Sequence, residues 1–120
     1  MKTTKKPKHP TGFIYNAEVL KVIDGDTFDL KIDLGFKIIH ESRFRLQNID
    51  TPEIRGKERP KGLKVKEYVK KLIEGKTIIV ETFKKGKYGR YVSEIYLKPN
   101  KRKPLSKHLL RKRMAKKLDY

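Results

Sequence analysis

The chain has no cysteine and no tryptophan. Without cysteine it can form neither disulfides nor thiolate metal sites, and nothing about the redox state of its compartment can be read from it. No run of about 18 apolar residues occurs, so no segment reads as a membrane-spanning helix. The N-terminal stretch "MKTTKKPKHP" is basic but is not followed by the apolar segment of a secretory signal. As written, the chain is expected in the cytoplasm, or outside the cell if a signal has been removed. Acidic residues are scarce as well, with 14 Asp and Glu against 32 Lys and Arg and a net charge of +18.

That imbalance is the strongest global signal. A chain so charged is drawn to polyanions, nucleic acid foremost, and contacts to phosphates would make binding depend on salt. A lysine-rich solubilising surface and an anionic membrane surface are the competing readings. Leu, Ile, Val and Phe make up 33 of the 120 residues, above the roughly 20% below which highly charged chains stay disordered. One small core is therefore expected. Residues 1–11 read as a flexible basic arm, and residues 12–120 as a single domain.

The elements follow from periodicity. Residues 13–23 are β-branched and aromatic and read as a strand. The Asp-Gly of "DGDT" (24–27) signals a tight turn. Residues 27–34 alternate, with Phe28, Leu30, Ile32 and Leu34 on one face. Gly35 turns the chain into a long third strand over 36–49. Residues 50–62 hold two prolines and two glycines and read as loop. Val65, Tyr68, Val69, Leu72 and Ile73 then form one helical face, with Gly75 as its C-terminal stop. Residues 76–83 and 90–97 read as fourth and fifth strands. Leu105, Leu109 and Leu110 suggest a last helix ending near Met114. The class is α+β, mainly β. Five strands with a helix between the third and fourth, and a C-terminal helix, is the element order of a five-stranded OB-fold barrel, although many small domains share it.

The stretch "FRLQNIDTPE" (44–53) carries the chemistry. It crowds Arg45, Asp50, Thr51 and Glu53 at the end of a strand. A hairpin about Gly35 pairs residues whose numbers sum to about 71, which brings Asp26 near Arg45. Carboxylates gathered this way repel one another unless a cation or guanidinium sits among them. With no His or Cys nearby the donors are oxygens, which suit hard cations such as Ca²⁺ or Mg²⁺, and arginine offers a fork matched to phosphate oxygens. Each motif alone has an ordinary explanation: Asp-Gly-Asp as a turn, "DTPE" as a cap, Arg45 as a surface ion-pair partner, "KYGR" (87–90) as a hairpin tip.

Together and in this order, "VIDGDT", "FRLQNIDTPE" and "KYGR" resemble the staphylococcal nuclease (thermonuclease-like) family over roughly residues 14–116. The resemblance implies an OB-fold, calcium-dependent phosphodiesterase cleaving DNA and RNA; the chain is expected to be a monomer with nucleic acid and no membrane as partner. It implies that Asp26 and Asp50 ligate calcium through carboxylates and Thr51 through its backbone carbonyl. Glu53 would be the general base, and Arg45 and Arg90 would clamp the scissile phosphate. Lys87 and Tyr88 would bind a terminal phosphate, and Asp24 would support the metal ligands from behind. A non-catalytic OB-fold nucleic-acid-binding module is the alternative.

Three features depart from the family's pattern. The loop after Glu53 is short and enters the helix as "RPKGLKV" (59–65). "RMA" (113–115) replaces "GLA", and because Arg113 tolerates φ > 0 less well than glycine, the last helix is expected to run on or end differently. Asp119 stands where a base-stacking tyrosine is usual, with Tyr120 beside it, so weaker stacking is expected.

Overall fold

The structure, a computed structural model, describes residues 13–85, 91–97 and 104–118. Strands β1 (Phe13–Asp24), β2 (Thr27–Asp33) and β3 (Ile39–Leu46) form a meander, followed by a two-residue strand β4 (Ile49–Asp50) and a 3₁₀ turn (Gly56–Glu58). Helix α1 (Arg59–Ile73), strands β5 (Thr77–Lys85) and β6 (Tyr91–Tyr96), helix α2 (Leu105–Arg111) and strand β7 (Lys116–Lys117) complete the order. The barrel closes as β1-β2-β3-β6-β5, with β3 and β6 parallel and the other pairs antiparallel. This is the expected OB-fold barrel, α1 lying between its third and fourth strands.

The core follows the sequence periodicity. Phe28, Leu30 and Ile32 point inward from β2, and Val65, Val69 and Ile73 from α1, with Tyr68 and Leu72 packed at the edge. Leu105 and Leu109 bury α2 against the same core. Leu34 shares the inner face of β2 by alternation but lies beyond the rim of the barrel and is exposed. No helix among the described residues is long and apolar enough to cross a membrane.

Three expectations need correction. The long third strand is cut at both ends. Gly35, Phe36 and Lys37 all take positive φ (86°, 56°, 64°), which no strand accommodates, and Asn48 (φ 60°) turns the chain between β3 and β4. Because the hairpin closes with Leu34 N–H donating to the Ile38 carbonyl (2.9 Å), paired numbers sum to 72, as in Thr27 opposite Arg45. Helix α1 begins at Arg59, inside the expected loop. Its Pro60 sits in the first turn, where a missing N–H costs nothing. Finally, α2 stops despite Arg113. That residue adopts φ 61°, with Arg113 N–H on the Leu110 carbonyl (3.0 Å) and Met114 N–H on the Leu109 carbonyl (2.9 Å). This is the Schellman pattern usually closed by glycine, and a side chain there costs ~1–2 kcal/mol.

Strand β6 seats α2 through a buried acid. Glu94 accepts hydrogen bonds from the Ser106 hydroxyl, the Ser106 N–H (3.1 Å), the Ile95 N–H (3.1 Å) and Gln47 Nε2 (3.3 Å). Burial pushes its carboxyl above the usual range, and these donors pull it only partly back. An acid whose folded pKa is raised is stabilising relative to its ionised form at low pH. That margin is lost as pH rises from the unfolded pKa, ~4.3, through the folded value. Glu94→Gln cannot titrate. The melting-temperature advantage of wild type over Glu94→Gln is therefore expected to narrow as pH rises through this window. Parallel pH-melting curves for the two proteins would expose an error in the assignment.

Candidate active site

The site sits where the β1–β2 turn meets the exit of β3. Gly25 is what allows the turn to lie there. A Cβ at this position would stand 2.6 Å from Val65 Cγ1 and 2.9 Å from the Thr51 side chain, closer than real Cβ contacts, so the "DGDT" turn packs directly on α1 and on the chain after β4. The next residue, Asp26, is buried. Its Oδ1 accepts from the Thr27 hydroxyl (3.1 Å) and its Oδ2 from the Thr51 N–H (3.1 Å).

Arg45 joins the two acidic segments. Its Nη1 donates to the carbonyls of Leu46 (3.2 Å) and Ile49 (3.0 Å), which fixes the guanidinium plane. Its Nη2 lies 3.1 Å from Asp50 Oδ1 and 3.4 Å from Asp26 Oδ2. One nitrogen thus touches carboxylates from two separate segments, the β1–β2 turn and strand β4. The Arg45 side chain is 13% exposed and that of Asp26 7%, so this attraction is screened far less than a surface pair would be.

Asp24 stands behind Asp26 and accepts its backbone N–H (3.2 Å). Its carboxyl is raised to about 7, first by burial and then by the hydrogen bond and charge of Asp26. The sequence-predicted residues Asp24, Asp26, Arg45, Asp50 and Thr51 are therefore gathered at one end of the barrel.

Glu53 lies on the exposed loop just beyond, laid against the start of α1. Its N–H donates to Glu58 Oε1 (3.0 Å), and Arg59 Nη1 donates to the neighbouring Ile54 carbonyl (3.3 Å). Gly62 completes the seat, because a Cβ there would fall 2.0 Å from the Glu53 carbonyl oxygen. Glu58 and Gly62 were not among the sequence candidates. A glycine four residues into a helix is the one hint, since it implies a close backbone approach.

Lys87, Tyr88 and Arg90 lie outside the described residues, as do Asp119 and Tyr120. The described chain resumes at Tyr91, which pairs with Phe44, and Val92 pairs with Arg45.

The donor set tells which cation suits the site. Were a metal held here, Asp26 and Asp50 would offer carboxylate oxygens and Thr51 its carbonyl, an all-oxygen set that fits a hard dication keeping several waters. Among the described residues no three His, Asp or Glu side chains converge to hold a metal by themselves. Water and substrate oxygens would have to fill the shell.

Comparison with known proteins agrees with this architecture. Residues 43–120 match the family model described as staphylococcal nuclease homologue. Two relatives, from Escherichia coli and from its O157:H7 strain, each carry the description "Uncharacterized endonuclease". Both are 35% identical across 68% of this chain and 48% of their own length. An uncharacterized protein of Methanocaldococcus jannaschii is 30% identical across 69% of this chain and 49% of its own. The chain spans about half the length of the curated relatives it matches.

Proposed function

Because this chain belongs to the staphylococcal nuclease homologue family, we propose that it is a nuclease, hydrolysing phosphodiester bonds of DNA or RNA with calcium as cofactor and little sequence preference. The observation that carries the reading is the Arg45 guanidinium bridging Asp26 and Asp50 beside Thr51. Such an arrangement gathers carboxylate oxygens suited to a cation and a guanidinium suited to a phosphate at one place. The excess positive charge of the chain supplies the attraction for a polyanion.

The residues divide the work by their chemistry. Asp26, Asp50 and the Thr51 carbonyl would hold calcium. Calcium, when bound, supplies positive charge against the phosphate as negative charge builds in the transition state. Arg45 would donate to phosphate oxygens, with Arg90 as its partner in the clamp. The pairing of Tyr91 with Phe44 supports that partnership, since it brings the start of β6 alongside Arg45. Lys87 and Tyr88 would take the terminal phosphate. Glu53, exposed on its braced loop, takes a proton from the attacking water as general base. Asp24 holds the backbone of Asp26 in place.

A plasmid assay with a calcium titration tests the reading. Plasmid DNA is expected to be degraded when calcium is added and spared in chelator. Intact DNA of retarded mobility at every calcium concentration would instead identify a non-catalytic binding module.

A further inference from the structure

A groove of about 270 Å³ opens beside the site, lined by residues 50–52 and 113–116 together with Glu58 and Lys61. Three cationic residues from three parts of the chain line it: Lys61 in the first turn of α1, Arg113 just after α2, and Lys116 on β7. Lys116 lies directly across the β4–β7 ladder from Asp50. The two acids of the groove are engaged elsewhere, Asp50 with Arg45 (3.1 Å) and Glu58 with the Glu53 N–H (3.0 Å). Among the described residues neither Lys61, Arg113 nor Lys116 makes an ion pair. Three exposed cations thus line one groove, and no carboxylate among the described residues forms an ion pair with any of them.

Arg113 carries the argument further. It occupies the left-handed position at the end of α2 (φ 61°), where glycine would sit without strain. A strained non-glycine residue on the wall of a groove next to reactive groups points to a use for its side chain. The geometry points to a second phosphate subsite here. Arg113, with Lys61 and Lys116, binds a backbone phosphate of the nucleic-acid strand next to the one held at Arg45. The inference rests on the proposed nuclease function for its ligand, and it concerns binding, not hydrolysis.

The test measures affinity of the full chain for a single-stranded oligonucleotide in chelator, across a range of sodium chloride concentrations. Arg113→Gly is expected to weaken binding about 5–10-fold at low salt. It should also flatten the plot of log affinity against log salt by about 0.7, one phosphate contact on a single strand. The same variant should melt about 2–6 °C higher, because glycine relieves the backbone. Arg113→Lys should restore the salt slope without the gain in melting temperature. Arg111→Ala, which removes an exposed charge from the same helix outside the groove, should leave the slope at its wild-type value. The proposal is overturned if Arg113→Gly binds with wild-type affinity and slope, or if Arg111→Ala loses as much as Arg113→Gly. Because no cleavage is needed, a wild-type protein that fails to cut plasmid while Arg113→Gly binds more weakly counts against the nuclease reading and for the groove. Cutting by wild type with binding unchanged in Arg113→Gly counts the other way.

Discussion

Cleavage of nucleic acid by Glu53→Gln is expected to fall about 10²–10⁴-fold, the range a positioned general base contributes. The substitution keeps the size and hydrogen-bonding reach of the side chain but removes its ability to take a proton from water. Nothing that shapes the loop should change. The loop is held through the backbone, by Glu58 Oε1 on the Glu53 N–H, by Arg59 on the Ile54 carbonyl, and by contact with Gly62. The carboxylate is exposed, so its replacement leaves no buried partner unsatisfied. Melting temperature and oligonucleotide affinity should therefore match wild type while the rate of plasmid degradation collapses. A purified variant cutting at the wild-type rate would remove Glu53 from the mechanism and leave the base to be sought among other acids near Asp26.

Gly62→Ala is expected to damage both stability and cleavage, against what helix propensity alone indicates. In an exposed helix interior alanine is favoured over glycine by about 1 kcal/mol, so propensity would have this change stabilise α1. Contact reverses the sign. The added Cβ would meet the Glu53 carbonyl oxygen at 2.0 Å and its carbon at 2.5 Å, with the Ile54 nitrogen at 2.9 Å. All three are backbone atoms and cannot rotate away, so either α1 or the loop must shift. Overpacking of this kind costs about 1–3 kcal/mol. A displacement of order 1 Å in a catalytic group can cost about 100-fold in rate, so cleavage should fall by about that factor. Lys64→Ala, at an exposed position two residues on, serves as the control and should be close to neutral. Thermal melts of the two variants, read alongside plasmid degradation, decide the matter. A Gly62→Ala protein as stable and as active as wild type would show that the loop does not rest on the helix as described.

Three glycines illustrate what could and could not be read in advance. Gly75, at the end of a clear apolar helical face, was legible as a stop, and it takes φ 80°. Gly25 and Gly62 matter because of atoms far away in the chain, Val65 and Thr51 in one case and Glu53 in the other. No local pattern encodes those neighbours. Pro60 read as a loop marker yet opens a helix, since proline is tolerated in the first turn for the same reason it is excluded later. No motif in the sequence singles out Glu94. Its four hydrogen bonds come from Gln47, Ile95 and Ser106, spread over three segments.

By itself the amino-acid order determined the class of the fold, the inward faces of β2, α1 and α2, and the residue types of the site, because these depend on periodicities of two and 3.6 and on side-chain chemistry. It also carried the family, through motifs of which those after residue 43 fall in the matched stretch. Asp24 and Asp26 precede that stretch, and the fold joins them to it through the Asp26 contacts with Arg45 and the Thr51 N–H. Only the folded barrel decided the hairpin register, the bracing of the Glu53 loop by α1, and the meeting of Lys61, Arg113 and Lys116 at one groove. Each of these rests on contacts between segments distant in sequence, whose distances are set by closure of the barrel and not by any neighbouring residue.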